Sequence, residues 1–278
     1  MNADLHCHSI VSDGLLTPAA VVQRAADNGV ELLALTDHDE VGGIAAARAE
    51  AARLGVGFVA GVEVSVSFQG ETVHVVGLGI DDTQPQLLAG LAQVRSGRDA
   101  RAVRIAAELD RAGIHGALEG ARALAANPAL VSRSHFARFI VSTGLMRNVA
   151  EVFRHYLAKG KPGYVPHTWA TLAEAVDWIH AAGGLAVVAH PARYRYSGEQ
   201  FEQLFDEFQA LGGEAVEVVS GSHDEDDVRH YATVARRRGL LASRASDFHG
   251  PLESPVDLGH CVPLPPDLVP VWTRLTPS

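Results

Sequence analysis

Cysteine is nearly absent from the 278-residue chain, which contains only Cys7 and Cys261. Two thiols can build neither a disulfide framework nor a four-cysteine zinc site. Long apolar runs are missing too. None approaches the ~20 residues that a membrane-spanning helix requires, so no membrane partner is expected. Positive charge is in deficit, with 23 Lys plus Arg against 33 Asp plus Glu and a formal charge of −10. That argues against duplex DNA as a partner, because such binding rests on phosphate neutralisation. The opening MNADLHCHS is polar where a signal peptide needs an apolar core, so a cytoplasmic setting is expected. With 47% apolar and 20% charged residues, disorder and collagen-like repeats are excluded.

What is present is an alternation of short apolar runs with amphipathic stretches, the signature of βα units around a parallel sheet. Strands are expected at Ala3–Leu5, Leu32–Leu35, Phe58–Gly61, Thr72–Leu78, Leu185–Ala189, Ala215–Val219 and Leu240–Ser243. About seven strands suit a barrel better than an open sheet. Thr17-Pro18 opens a helix that Gly29 ends, and Thr171 with Glu174 forms a capping box. Residues 85–167 contain no convincing strand and read as helices ended by Gly113, Gly144 and Gly160. Between Arg95 and Lys161 there are 12 basic and five acidic residues, against 11 basic and 28 acidic elsewhere. The expected organisation is an α/β barrel from 1–84 and 168–278, with a basic helical insertion, a substrate lid, at 85–167.

The chain also carries 14 histidines. His6 and His8 share one face of an extended strand, with Cys7 turned away as a packing residue. His6, His8 and Asp13 follow the first strand, and Asp37 and His38 follow the second. Glu63 follows the third, His190 the Leu185–Ala189 run, and Asp247 and His249 the last; His74 alone lies inside a strand. In (β/α) barrels these strand ends converge on one catalytic face. Carboxylates and imidazoles at such density repel or stay undersolvated without cations, so metal binding is the economical explanation. Singly, Asp13 and Asp247 could be turn residues. Glu63 and His74 resist that reading, since both sit among valines. His115, His155, His180, His230 and His260 are left as ordinary surface or core histidines.

DLHCHS at 4–9, SDG at 12–14, LTDHD at 35–39, GVEVS at 61–65, AHP at 189–191 and SDFHG at 246–250 resemble the motif series of the polymerase and histidinol phosphatase (PHP) family, in the amidohydrolase superfamily. The resemblance covers the chain apart from the insertion. It implies a distorted (β/α)7 barrel with two to three divalent metal ions, manganese first, zinc or iron otherwise. By the same resemblance, His6, His8, Glu63 and Asp247 hold one metal. Glu63 bridges to a second, shared with His74 and His190, and Asp13, His38 and His249 hold a third. Arg244-Ala245 departs from the glycines that relatives often carry before SDFHG, which bears on local loop shape and not on the ligands. The insertion, VSRSHFA and AHPARY look most like a subgroup that removes the 3′-phosphate of nucleoside 3′,5′-bisphosphates, or trims short RNA from its 5′ end.

No G-x-S-x-G elbow or P-loop is present, so the expected nucleophile is a metal-bridging hydroxide. Asp37 is expected to orient a ligand imidazole; the leaving-group acid is left unassigned, with His249 and His223 as candidates. Arg95, Arg98, Arg101 and Arg104 recur every third residue. Arg95 and Arg98 read as a solvated face, Arg101 and Arg104 as substrate contacts. Ser132 or Ser134 caps the helix beginning near His135, whose first turn with Arg133 makes an anion site. Arg193 is expected to face the same cavity. The reading is thus a phosphatase for a small nucleotide with two phosphates. A 5′→3′ exoribonuclease, a histidinol-phosphate phosphatase and a non-catalytic metal module are the alternatives, in that order.

Overall fold

A computed structural model describes residues 1–277, with Ala129 described by its backbone alone. Seven strands lie in one sheet in chain order: β1 (Ala3–Asp4), β2 (Leu32–Leu35), β3 (Gly57–Phe68), β4 (Glu71–Leu78), β5 (Leu185–Val188), β6 (Ala215–Val219) and β7 (Leu241–Arg244). The sheet is mixed, not all parallel. β3 and β4 form a hairpin, and β4 is antiparallel to both β3 and β5. β3 also runs past the expected Gly61, because the hairpin gives Glu63 to Phe68 a partner strand. The sheet nearly closes on itself: Leu5 N–H donates to Arg244 O (3.1 Å), Asp247 N–H to His6 O (2.9 Å) and His8 N–H to Phe248 O (2.8 Å).

Helices α1 (Pro18–Asp27) and α2 (Ile44–Leu54) follow β1 and β2; α8 (Leu172–Ala181), α9 (Gly198–Ala210) and α10 (Glu225–Arg238) cover the second half. Thr17 caps α1, and Thr171 with Glu174 forms the capping box of α8. The α10 helix starts at Glu225 on an Asp224 cap. Asp224 accepts from Asp226 and Asp227 N–H, the first turn is acidic and the last turn is Arg236–Arg238, a charge order that matches the helix dipole. Small apolar side chains such as Ala3, Ala34, Val59 and Val187 fill the barrel interior, and a larger apolar layer packs the helices outside. Among the described residues, no helix is long and apolar enough to cross a membrane.

Between β4 and α8 run α3 (Pro85–Ser96), α4 (Arg98–Arg111), α5 (Ala117–Leu124), α6 (Arg133–Ser142) and α7 (Val149–Val152), then a π-helical turn at Phe153–Leu157. Leu87, Leu91 and Val94 of α3 join the outer barrel core. A separate apolar cluster runs from Ala102 to Val165 and includes Ile105, Leu109, Phe136 and Ile140. The second core therefore begins at α4, later than the expected boundary.

Arg244 explains the departure from glycine. Its buried guanidinium donates to Val262 O (2.9 Å) and Gly259 O (3.1 Å), and to the carbonyls of Ala3 and Cys261, pinning the C-terminal segment at the barrel end.

Candidate metal centre

Glu63 is fully buried at the middle of β3 and meets five imidazoles. Its Oε1 lies 2.7 Å from His74 Nδ1 and 3.0 Å from His190 Nε2. Its Oε2 lies 2.7 Å from His38 Nδ1, 3.2 Å from His6 Nε2 and 3.3 Å from His8 Nε2. Asp247 Oδ1 approaches His8 Nε2 (3.2 Å) and His6 Nε2 (3.5 Å), while Asp13 Oδ1 faces His249 Nε2 (3.5 Å) and His38 Nε2 (3.9 Å). All nine residues anticipated as ligands converge here. His74 reaches the cluster from mid-strand because β4 runs against its neighbours, which brings it opposite Ser65, two residues beyond Glu63.

Three sets could each surround a cation, with ligand atoms mutually within 4.8 Å: His8, Asp13, His38 and His249; His6, His8 and Asp247; His38, Glu63 and His74. His8 and His38 each belong to two sets, so the sets overlap more than the resemblance implies. Asp13 Oδ1, Glu63 Oε2 and His38 Nδ1 are buried with no hydrogen-bond partner, although the last two lie 2.7 Å apart. Such orphaned atoms are costly unless something else bonds them. Burial, with His249 and His38 nearby, pushes His8 down to about 3, and burial takes His74 down to about 4. Both rings are neutral, the form that ligates a metal. Burial also opposes charge on His38, yet Glu63 and Asp13 overcome it and raise His38 to about 9. The carboxylates there demand a positive charge, and an oxygen–imidazole donor set without thiolate suits divalent cations.

The local backbone is forced into place. Asp39, His190 and Asp247 adopt left-handed φ values of 50°, 27° and 53°, conformations that non-glycine residues hold only under surrounding constraint. A Cβ on Gly14 would overlap His8 O, so the SDG turn requires glycine.

Supporting contacts differ from expectation. Asp37 orients no imidazole: its carboxylate accepts from Ser9 N–H (2.8 Å), Ser9 Oγ (2.7 Å) and Ser12 Oγ (2.6 Å), bracing the loop that carries Asp13. Glu217, unanticipated, does that work. Its Oε1 meets His6 Nδ1 at 2.6 Å, and its Oε2 accepts His190 N–H at 2.6 Å. Its signal is the one that marks Glu63, a carboxylate between valines in a strand. Tyr194 is also unanticipated; its OH donates to Ala189 O (2.8 Å) and accepts from His74 N–H (2.9 Å).

The insertion forms the opposite wall. Arg98, Arg101, Arg133 and Phe153 line the cavity with Trp169. Arg98 is buried and not solvated as expected. It pairs with Asp39 and stacks over Trp169 (4.7 Å). Arg95 likewise bonds Asp39 O (2.6 Å) instead of water alone. Arg101 stacks on the same indole (5.1 Å) and donates to Val165 O (3.3 Å). Burial, with Arg133 and Arg98 close by, pushes it down to about 9. Arg133 donates to Leu157 O (3.4 Å). Neither Arg101 nor Arg133 has a carboxylate partner among the described residues.

Five residues expected at the substrate or as the acid are placed elsewhere or already engaged. Arg104 is exposed beside Tyr164 and His167, away from the cavity. His135 is buried, its Nδ1 accepting Ser132 N–H (3.0 Å) in a capping box. His223 spans Val218 O (3.1 Å) and Ala192 N–H (3.4 Å), and so serves as a brace and not as an acid at the cavity. Arg193 does line the cavity, with its guanidinium held by Asp247 Oδ2 (2.5 Å). Ser134 lines it too, turned toward Asp13, while Ser132 is the helix cap.

A barrel that gathers nine potential metal ligands on one face, roofed by a basic helical segment, defines a class of hydrolase site. The PHP domain model matches residues 4–220, and the protein belongs to the PHP domain family. It is 53% identical over 274 residues to the 3′,5′-nucleoside bisphosphate phosphatase of Chromobacterium violaceum, covering 99% of this chain and 96% of that one. Identity to the 5′-3′ exoribonuclease Rnm of Escherichia coli is 44% over 271 residues, covering 97% and 92%. A solved amidohydrolase from C. violaceum, with sulfate and no metal bound, matches with TM-score 0.96 and 52% identity over 99% of this chain and 95% of that one.

Proposed function

We propose that the protein is a metal-dependent phosphomonoesterase that removes the 3′-phosphate of nucleoside 3′,5′-bisphosphates. One observation carries the reading: two cavity-lining guanidiniums, Arg101 and Arg133, lack carboxylate partners among the described residues and share the cavity with seven of the nine potential ligands. Like charges held together in a cavity call for an anion. The floor suits the scissile phosphate, and the arginines suit a second one. The similarity to the C. violaceum phosphatase supports the same substrate class.

His6, His8, Glu63 and Asp247, with His74 and His190 on one side and Asp13, His38 and His249 on the other, would hold two to three divalent cations. Manganese is our first choice on the family resemblance, and the carboxylate and imidazole donors are equally open to zinc or iron. What such ions supply is activated water near neutral pH and neutralised phosphoryl oxygens. Glu217 fixes the His6 ring and the His190 main chain, as partners of metal-bound imidazoles commonly do. Arg133 and Arg101 orient the second phosphate, which sets the ester in line. No side chain is assigned as covalent nucleophile. A cytoplasmic setting belongs to the same reading, both cysteines being free and buried.

The test follows the products of each substrate with manganese: inorganic phosphate from a nucleoside 3′,5′-bisphosphate and from histidinol phosphate, and nucleoside monophosphates from a 5′-phosphorylated dinucleotide. The bisphosphate should be preferred by kcat/KM. Faster cleavage of the dinucleotide would replace this reading with the exoribonuclease, and preference for histidinol phosphate would remove the role of the arginines.

A further inference from the structure

Asp13 belongs to a barrel loop, yet the groups that orient its carboxylate come from the insertion. Oδ2 accepts from Ser132 Oγ (3.0 Å) and Ser134 Oγ (2.9 Å), both at the start of α6. The Asp13 carbonyl accepts from Arg138 (2.6 Å), which also grips Glu253 with two N–H groups (2.8 and 2.7 Å). Oδ1 is buried without a hydrogen bond and points at His38 and His249. Among the described residues, no barrel side chain donates a hydrogen bond to this carboxylate. The barrel does fix the loop nearby, through Gly14 N–H to Ser9 O (2.8 Å) and the Ser12 hydroxyl to the Asp37 carboxylate (2.6 Å). What the insertion sets is the side chain.

We propose that the insertion completes the cation position of Asp13, His38 and His249, so that docking of α6 and occupancy of that position are reciprocally coupled. This rests on the metal-dependent reading above. A carboxylate free to rotate must be ordered when a cation binds, whereas one held by two hydroxyls is already aimed. Whatever affinity the docked helix adds to the cation, the cation returns to docking. Ser132 and Ser134 are thus positioning residues. Arg133 sits between them and lines the cavity, so an anion held there favours the same docked state.

The experiment compares the full-length wild type with Ser134→Ala, Ser134→Thr and the double variant Ser132→Ala/Ser134→Ala. Manganese retained after dialysis is counted by elemental analysis and its affinity titrated. Hydrogen exchange over 132–142 is followed with and without manganese. Ser134→Ala keeps the Ser132 cap, so it decides the matter even where the double variant unfolds. It should hold one cation fewer, or hold it about 10- to 100-fold more weakly, as loss of a ligand-orienting partner does. Ser134→Thr should restore it, and manganese should slow exchange in α6 of the wild type but not of Ser134→Ala. Wild-type affinity in Ser134→Ala, or equal weakening of every cation, overturns the coupling while leaving the function intact. A wild type that retains no cation overturns both.

Discussion

The barrel brings carboxylates and imidazoles to the cavity from strand ends, whereas the segment from Arg98 to Val165 brings guanidiniums from helices packed on their own apolar cluster. The barrel side is held by strained backbone at Asp39, His190 and Asp247 and by buried braces such as Glu217. The insertion side is held by cation–π stacking on Trp169 and by polar tethers to the barrel, from Arg98 to Asp39 and from Ser134 and Arg138 to Asp13. The contrast teaches that a net charge of −10 describes neither wall. Opposite charges are segregated along the chain and therefore across the cavity, and an anionic substrate with cations bridges them. The two walls should fail differently when cut.

The largest effect should come from the barrel. Glu63→Gln removes the charge that meets five imidazoles, and turnover should fall by at least about 100-fold with loss of bound metal. A chelator should do the same to the wild type, reversibly on manganese addition. Near-normal turnover in Glu63→Gln, or indifference to chelation, would break the assignment of the barrel wall to metal chemistry.

Next is Arg133→Ala on the insertion wall. A charge-assisted hydrogen bond contributes about 1.5–3 kcal/mol, so kcat/KM for a bisphosphate should drop about 10- to 100-fold. A nucleotide with a single 3′-phosphate should lose much less, and bound metal should be unchanged. Equal losses on both substrates would mean that this wall does not read the second phosphate.

The two walls also differ in how legible they are in the sequence. The expected strand ends pick out every ligand candidate except His74, because a period-two pattern does not reveal strand direction, and Glu63 falls mid-strand once the hairpin lengthens β3. Glu63 and Glu217 carry one signal, a carboxylate between valines, but only Glu63 lies in a motif that draws attention to it. The arginine stripe buries the end expected to be solvated. A spacing of three turns about 60° back per step on a helix, so the stripe could not all face one way. The break at Gly97 also puts Arg95 on α3 and starts α4 at Arg98, leaving Arg98 and Arg101 inward and Arg104 out. Asp37 and Asp39 flank His38, and only coordinates show that one braces Ser9 and Ser12 while the other receives Arg98.

A third cut tests whether the insertion core stands apart. Phe136 is fully buried in that cluster, and Phe136→Ala should cost about 3–5 kcal/mol by cavity formation. Hydrogen exchange should rise in α4 to α6 while β1 to β7 keep their protection. A uniform loss across the barrel would mean that the two cores unfold as one.

The smallest effect concerns the tether between the walls. His135 Nδ1 must be unprotonated to accept Ser132 N–H. Burial, against a smaller opposing pull from Asp13 and aided by Arg138, pushes its ring down to about 4. An unfolded histidine titrates near ~6.5, so the unfolded chain binds the proton first as pH falls. The contribution of His135 is therefore fully present above ~6.5 and is lost progressively as pH falls toward 4. His135→Gln supplies a non-titrating acceptor at the same capping-box position. Its stability to denaturant, taken relative to the wild type, should improve steadily between ~6.5 and 4 and be flat above, because other titrating groups cancel in the difference. Parallel stability curves across that window would show that the ring takes up its proton without losing the cap.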